Sequence, residues 1–146
     1  MESRGNVGYP REFGGGPETF GSTLHWGADY STNQYSKTHA EKTISSGTYA
    51  DDFHTFGLYW DDKTIYTYVD IDSNRILEVN HSQQSYWQRS GITNRYNPWQ
   101  YSKNNCAPFD RPFYLILNLA VGGTNSYFRN GAANKPWSDN SQRASA

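Results

Sequence analysis

Three runs of sequence decide the fold: His54-Thr55-Phe56-Gly57-Leu58-Tyr59-Trp60, Thr64-Ile65-Tyr66-Thr67-Tyr68-Val69-Asp70 and Arg75-Ile76-Leu77-Glu78-Val79. Two short polar segments, residues 61–63 and 71–74, separate them. Successive side chains of a strand point to opposite faces, so the second run places its aliphatic residues on one face and its tyrosines on the other. The three runs therefore predict an antiparallel meander joined by tight turns.

Two further strands are predicted outside this meander. The run Thr19 to Trp26 is typical of a strand that ends at Gly27, and Pro112 to Val121 is apolar on both faces, which predicts a central strand buried between two layers. We identify no convincing helix, and the aromatic segment 81–110 is expected to be an ordered, packed loop. The pattern predicts an all-β fold, an antiparallel β-sandwich.

Composition excludes several classes of function. The chain has 146 residues, enough for one domain or part of one, and a net charge of −1 without a basic stripe, so nucleic acid is not expected as a partner. No apolar run approaches the roughly 18 residues that span a membrane, and no signal peptide is visible. The mean hydropathy of −0.90 understates the apolar surface, because 12 Tyr, 5 Trp and 7 Phe bury large areas.

The sequence contains no motif for a metal or cofactor, and we expect neither. The histidines lack zinc-site spacing, and the aspartates lack the spacing of a calcium loop. Cys106 is the single cysteine. We interpret it as structural, although a disulfide partner outside the chain would also fit a secreted protein. Asn80-His81-Ser82 is a glycosylation sequon, and a chance match in a polar loop explains it equally well.

Four stretches, in order, resemble one family of enzymes: Met1 to Asn6, Phe20 to Gly27, His54 to Trp60 and Pro112 to Gly123. They resemble family 16 glycoside hydrolases of the laminarinase or endo-β-1,3-glucanase type, and the related animal β-1,3-glucan-recognition proteins. The resemblance implies a concanavalin-like jelly roll with a concave sheet that holds the sugar chain. It also implies that residues 1–146 are the C-terminal part of a single catalytic domain, incomplete at both ends.

The opening run of the chain resembles the tail of the E-x-D-x-x-E catalytic strand of that family. Glycoside hydrolysis needs two carboxyl groups that flank the scissile bond. The resemblance implies that Glu2 is the acid/base, and that the nucleophile and the assisting Asp precede Met1. The chain alone is therefore expected to lack hydrolytic activity.

Five further residues are candidates for substrate binding: His25, Trp26, Asn118, Arg4 and Asn6. Neighbours in a strand face opposite ways, so at most one of His25 and Trp26 should face the cleft unless the strand bends. The alternative for this pair is a core tryptophan beside a hydrogen-bonded histidine. Asn118 either lines the cleft or is a structural amide with partners of its own. Arg4 and Asn6 either position Glu2 or sugar, or are turn and rim residues.

Two functions remain open at this stage. One is a secreted, monomeric glycosidase domain that cleaves β-1,3-glucans such as laminarin with retention. The other is a non-catalytic β-1,3-glucan-recognition protein of innate immunity. Both imply a β-glucan polysaccharide as partner, with no nucleic acid, membrane or cofactor. A third interpretation takes Met1 as a true start, which gives a small β-protein of unknown role and leaves the order of the motifs unexplained.

Overall fold

The computed structural model describes residues 1–120, 123–124, 126–133, 135, 137–139 and 141. Within these residues the fold is all-β, with antiparallel strands in two sheets, which confirms the predicted fold class. The strands are β1 (Thr19–Thr23), β2 (His39–Thr43), β3 (Phe56–Trp60), β4 (Thr64–Val69) and β5 (Arg75–Asn80). The helices are three short 3₁₀ turns, Arg11–Phe13, Tyr30–Thr32 and Tyr35–Thr38, and one α-helix, α1 (Tyr86–Ser90).

The predicted meander is confirmed as the three-stranded sheet β3-β4-β5. Leu58 lies opposite Thr67 in the register between β3 and β4, and a register shift follows Thr67 in the pairing with β5. Ile65 and Val69 are buried on one face of β4. On the other face Tyr66 stacks on Tyr59, with 4.7 Å between the ring centroids. The alternation of aliphatic and aromatic residues therefore sets the two faces of this sheet.

The second sheet pairs β1 with β2, from Thr19 opposite Thr43 to Thr23 opposite His39. The sequence predicted β1 but extended it to Trp26, whereas the regular strand ends at Thr23. It did not predict β2, which is polar and only half buried on its inner face.

The two sheets meet through aromatic and aliphatic side chains. Phe20 of β1 stacks on Phe56 of β3, with 4.4 Å between centroids. A second cluster joins Trp26, Leu77, Val79 and the fully buried Tyr86. Burying this apolar area stabilises the arrangement by about 25 cal/mol per Å² removed from water.

Trp26 is a core residue. Its side chain is only 4% exposed, and its indole Nε1–H donates to the hydroxyl of Thr38 at 2.8 Å. Thr38 in turn donates to the carbonyl of Leu24 at 3.0 Å. The prediction that Trp26 contacts substrate is therefore corrected, because a ring enclosed by Tyr86 and Leu77 has no face to offer a sugar.

The aromatic segment 81–110 is ordered, and it contains the short helix α1 that the sequence analysis missed. A capping box starts α1: the Ser85 hydroxyl accepts from the Gln88 amide, and the Gln88 side chain accepts from the Ser85 amide. Gly91 ends it in the left-handed region at φ 70°. The Ser-x-x-Gln spacing was the available signal. Helix α1 buries Tyr86, whose ring centroid lies 4.9 Å from that of Trp26 and 5.0 Å from that of Phe109.

The strand predicted at Pro112 to Val121 is wrong within the described residues. Residues 112–120 carry no strand, and their side chains are exposed, with Tyr114 at 85% and Leu117 at 88%. Val121 and Gly122 lie outside the described residues. A strand needs a neighbour for its backbone hydrogen bonds, and none of the five described strands pairs with this segment. The apolar pattern predicted a buried strand, but a sequence pattern does not identify the neighbouring strands that would bury it.

His81 is buried without a partner for one of its ring nitrogens. Its backbone amide donates to the carbonyl of Lys63, and its Nε2 lies 3.3 Å from the carbonyl oxygen of Asp61, but Nδ1 has no hydrogen bond to any described residue. Burial lowers the pKa of His81 below the ordinary 6.5, and the nearby Asp61 and Asp62 oppose only part of this effect. The folded protein therefore holds His81 neutral.

We predict that this histidine makes stability depend on pH. The unfolded chain protonates His81 more readily than the folded chain does, so its contribution is complete above pH 6.5. It is lost as the pH falls from there toward the lower folded pKa, by at most about 1.4 kcal/mol per pH unit. Denaturant unfolding at pH 7 and pH 5 should show a smaller difference for His81→Gln than for the parent chain. An unchanged difference, or the same change in the exposed control His25→Gln, would contradict this assignment.

A second prediction concerns Gly57 in β3, which lies beneath the ring of Tyr68. A Cβ added at Gly57 would come within 2.0 Å of Tyr68 Cζ. We expect Gly57→Ala to lower the free energy of unfolding by about 1–3 kcal/mol through overpacking. In a Tyr68→Ala background the same change should become neutral or stabilising by roughly 0.5–1 kcal/mol, because alanine loses less entropy than glycine. Equal costs in both backgrounds would exclude the ring contact as the cause.

Candidate active site

Strand β1 places alternate residues in two different environments. Phe20 and Ser22 point to the core, and Trp26 follows them there after the strand ends. Thr19, Gly21, Thr23 and His25 line the opposite side, a cavity of about 320 Å³ that we call the His25 cavity. The predicted alternation of His25 and Trp26 is thus present, with His25 on the open side.

Glu2 lies along the free edge of β1. Its amide donates to the carbonyl of Gly21 at 2.9 Å, and the Gly21 amide donates back to the Glu2 carbonyl at 2.8 Å. The neighbouring Ser3 hydroxyl adds a bond to the Thr19 carbonyl at 2.7 Å. These bonds place Glu2 directly beside the strand that begins at Thr19.

Gly21 leaves open space between two carboxylates. It pairs with Glu2 on one side and with Glu41 of β2 on the other, and both glutamates line the His25 cavity. A Cβ at Gly21 would project toward Glu41 Cγ at 3.6 Å and His39 Cε1 at 3.8 Å. A larger side chain here would fill the part of the cavity between the two carboxylates.

The His25 cavity is rich in hydrogen-bonding side chains. His25 Nδ1 lies 3.0 Å from Asn33 Nδ2, and its ring lies 5.7 Å from that of Tyr35. His39 bridges the strands, since its Nδ1 is 2.8 Å from the Thr23 hydroxyl and its Nε2 is 3.4 Å from Glu41. Exposed imidazoles beside a tyrosine ring offer both stacking and hydrogen bonds to a polar ligand.

Arg4 occupies the space between two tyrosines. Its guanidinium carbon lies 4.9 Å from the ring centroid of Tyr9 and 4.1 Å from that of Tyr127. Burial raises the pKa of Tyr127, and the negative charge and hydrogen bonding of the nearby Glu2 carboxylate raise it further. The phenol therefore stays protonated at neutral pH and can donate to the carboxylate.

Glu2 also lines a larger cavity of about 930 Å³, which we call the Asn118 cavity. Asn118, Asn6 and Arg4 line it. Four of the described residues, Glu2, Ser3, Arg4 and Tyr127, line both cavities, so the two cavities adjoin there. The structure thus brings together five of the six residues singled out from the sequence, namely Glu2, Arg4, Asn6, His25 and Asn118, and leaves Trp26 in the core.

The sequence analysis missed four residues of this site: Tyr35, His39, Glu41 and Tyr127. The alternating polar pattern of β2 was a signal for His39 and Glu41, since it places them on one face opposite Thr23 and Gly21. No local signal identifies Tyr127, because only the tertiary fold brings it to Glu2.

Cys106 has the features of a structural residue rather than of a reactive one. Cys106 is buried, and burial raises the pKa of its thiol, which fits a structural role. Among the described residues no three His, Cys, Asp or Glu side chains are grouped to hold a metal ion. In the same part of the chain no helix has the length and apolar character needed to cross a membrane.

Known proteins of two kinds are similar to this chain in sequence. A β-1,3-glucan-binding protein of Penaeus monodon is 43% identical over 146 residues, which are 99% of this chain and 38% of that protein. A glucan endo-1,3-β-glucosidase A1 of Niallia circulans is 33% identical over 124 residues, 84% of this chain and 14% of its own length. A glucan endo-1,3-β-glucosidase of Cryptopygus antarcticus is 32% identical over 107 residues, 73% of this chain and 34% of its own length.

The chain is homologous to β-1,3-glucan-binding proteins and glucan endo-1,3-β-glucosidases. This confirms the resemblance to family 16 glycoside hydrolases and their recognition relatives that the four motifs indicated. The chain spans less than half the length of each of these three relatives. No family model and no solved structure matches it.

Proposed function

We propose that the domain containing this chain hydrolyses β-1,3-glucans such as laminarin with retention, and that Glu2 is its acid/base. The observation that carries the proposal is that Glu2 lines two adjoining cavities, in a chain with glucan endo-1,3-β-glucosidase relatives. Two cavities that share one carboxylate suit a polysaccharide, whose sugar units extend on both sides of the bond to be cleaved.

The chemistry requires a second carboxylate. In a retaining glycosidase one carboxylic acid protonates the leaving oxygen while the other carboxylate attacks the sugar, and the first then deprotonates the incoming water. We assign Glu2 the first role. The nucleophile and the assisting Asp would precede Met1, five and three positions before Glu2, with residues 1–146 forming the C-terminal part of the catalytic domain.

The other residues of the site bind and orient sugar in this proposal. His25 can donate to or accept from a sugar hydroxyl on one side of Glu2, and Asn118 can do both with its amide on the other. Asn6 lines the same cavity as Asn118. Arg4 acts mainly by holding the aromatic wall next to Glu2, because its guanidinium already faces two rings.

The setting follows from the substrate. A β-glucan polysaccharide is the proposed partner, and polysaccharide of this size is met outside the cell, so we propose a secreted protein. We also propose that it acts as a monomer and needs no cofactor, since two carboxyl groups and water suffice for the reaction.

A second candidate function is recognition of β-1,3-glucan without hydrolysis. The relative at 43% identity is named a β-1,3-glucan-binding protein, and it covers nearly all of this chain. A protein of this kind would use the same cavities to bind glucan in innate immunity. The two candidates differ in the segment before Met1: Glu and Asp at the stated spacing support the hydrolase, and other residues there support the recognition protein.

Glu2→Gln in the parent protein tests the hydrolase. Removing the acid/base should lower kcat on laminarin by about 10²–10⁴-fold, while laminarin binding is retained. Reducing-sugar release and isothermal titration measure the two effects. Glu12→Gln is the matched control, since Glu12 is exposed and lines neither cavity. Wild-type protein that binds laminarin without releasing reducing sugar would favour recognition.

A further prediction concerns the 146 residues expressed alone. We expect negligible laminarin hydrolysis, because the nucleophile would be missing, and an unfolding free energy below about 5 kcal/mol. The apolar side chains of residues 113–119 are exposed and contribute little burial. Robust turnover by the isolated chain that disappears in Glu2→Gln would show that this expectation is wrong.

A further inference from the structure

Tyr9 joins two parts of the chain that are far apart in sequence. Its side chain is only 3% exposed. Its hydroxyl donates to the carbonyl of Tyr127 at 3.1 Å and accepts from the amide of Arg129 at 2.9 Å. Both hydrogen-bonding functions of the phenol are used, so the hydroxyl fixes the backbone of Tyr127 and Arg129 relative to the chain that follows Glu2.

Arg4 holds the side chain of Tyr127 from one face. The guanidinium carbon is 4.1 Å from the centre of that ring, within the range of a cation–π interaction. The same guanidinium contacts the ring of Tyr9. The Tyr127 ring also meets Phe128 edge-on at 5.0 Å between centroids. Backbone anchoring by Tyr9 and ring contacts with Arg4 and Phe128 restrict the orientation of the Tyr127 phenol.

The restricted phenol of Tyr127 lies near the Glu2 carboxylate. Tyr127 and Glu2 line both the His25 cavity and the Asn118 cavity, so they meet where the two cavities adjoin. Burial is the largest cause that raises the pKa of Tyr127, and the charge and hydrogen bonding of the nearby Glu2 carboxylate raise it further. The other charged groups that act on this phenol are Arg4 and Glu41, which come from different elements.

We propose that Tyr127 is a positioning residue for the Glu2 carboxylate, and that Tyr9 anchors the loop that carries it. The inference rests on the proposed role of Glu2 as acid/base. A phenol that donates to one carboxylate oxygen leaves the other oxygen to exchange a proton with the substrate. It also prevents the carboxylate of an exposed edge residue from rotating away from the scissile bond. Tyr9 acts indirectly, because its hydroxyl holds the backbone of Tyr127.

Kinetics of the parent protein test the positioning role. Tyr127→Phe keeps the ring over Arg4 and removes only the donor, so kcat should fall about tenfold with little change in KM. Tyr9→Phe should lower kcat by less, again with little change in KM. Tyr101→Phe, at a tyrosine 85% exposed outside both cavities, is the control and should leave both kinetic constants unchanged.

A second measurement needs no catalytic activity. In protein labelled with ¹³C at the tyrosine ring, the Tyr127 resonance is assigned by its loss in Tyr127→Phe and followed by NMR as pH rises. Glu2→Gln removes the negative charge beside the phenol, so Tyr127 should titrate at lower pH than in wild type. The Glu12→Gln variant should titrate as wild type does.

The outcomes separate this inference from the proposed function. Hydrolysis that Glu2→Gln abolishes, with an unchanged kcat in Tyr127→Phe, overturns the positioning role and leaves the hydrolase intact. Absence of hydrolysis in the wild-type parent overturns the hydrolase. In that case the NMR titration decides: a lower Tyr127 titration in Glu2→Gln supports the pairing, and an unchanged titration overturns it.

Discussion

The alternation of side chains along β1 is the constraint on which both the core and the site depend. A strand five residues long presents Phe20 and Ser22 inward and Thr19, Gly21 and Thr23 outward. The alternation continues past the end of the regular strand, to His25 and Trp26. A shift of one residue in register would place Trp26 in the cavity and His25 in the core. The hydrogen bond of Trp26 to Thr38 opposes such a shift, so a core contact maintains the geometry of the open face.

The sequence predicted much of the fold, and its failures have physical causes. The meander followed from strong alternation and short turns, and β1 followed from its aromatic and β-branched residues. β2 was missed because His39–Thr43 contains one small apolar residue, Ala40, and is stabilised by its pairing with β1 rather than by its own hydrophobicity. The prediction for residues 112–120 was wrong in the opposite way, because it gave a strand where the described residues carry none. Their composition suits a buried strand, but composition cannot say whether neighbouring strands are present.

Site residues that lie close together in the sequence were predictable, whereas those that only the tertiary fold brings together were not. Glu2, Arg4 and Asn6 are adjacent in sequence, and His25 follows from the alternation of β1. Tyr127 could not be found from the sequence, because it reaches Glu2 through a backbone anchor supplied by Tyr9 and a cation supplied by Arg4. Contacts of this kind depend on side chains that no periodicity connects. Trp26 was misassigned since an aromatic residue beside a histidine suits a sugar site and a core equally well.

The exposed segment from Phe113 to Leu119 makes the isolated chain prone to self-association. It combines aromatic and branched aliphatic residues, has no charge and contains no proline. Segments with these properties pair with copies of themselves in cross-β stacks. Isolated chains at high concentration should therefore self-associate through this segment, visible as light scattering that grows with concentration. A lysine in place of Leu117, which also lines the Asn118 cavity, would act as a gatekeeper and raise solubility.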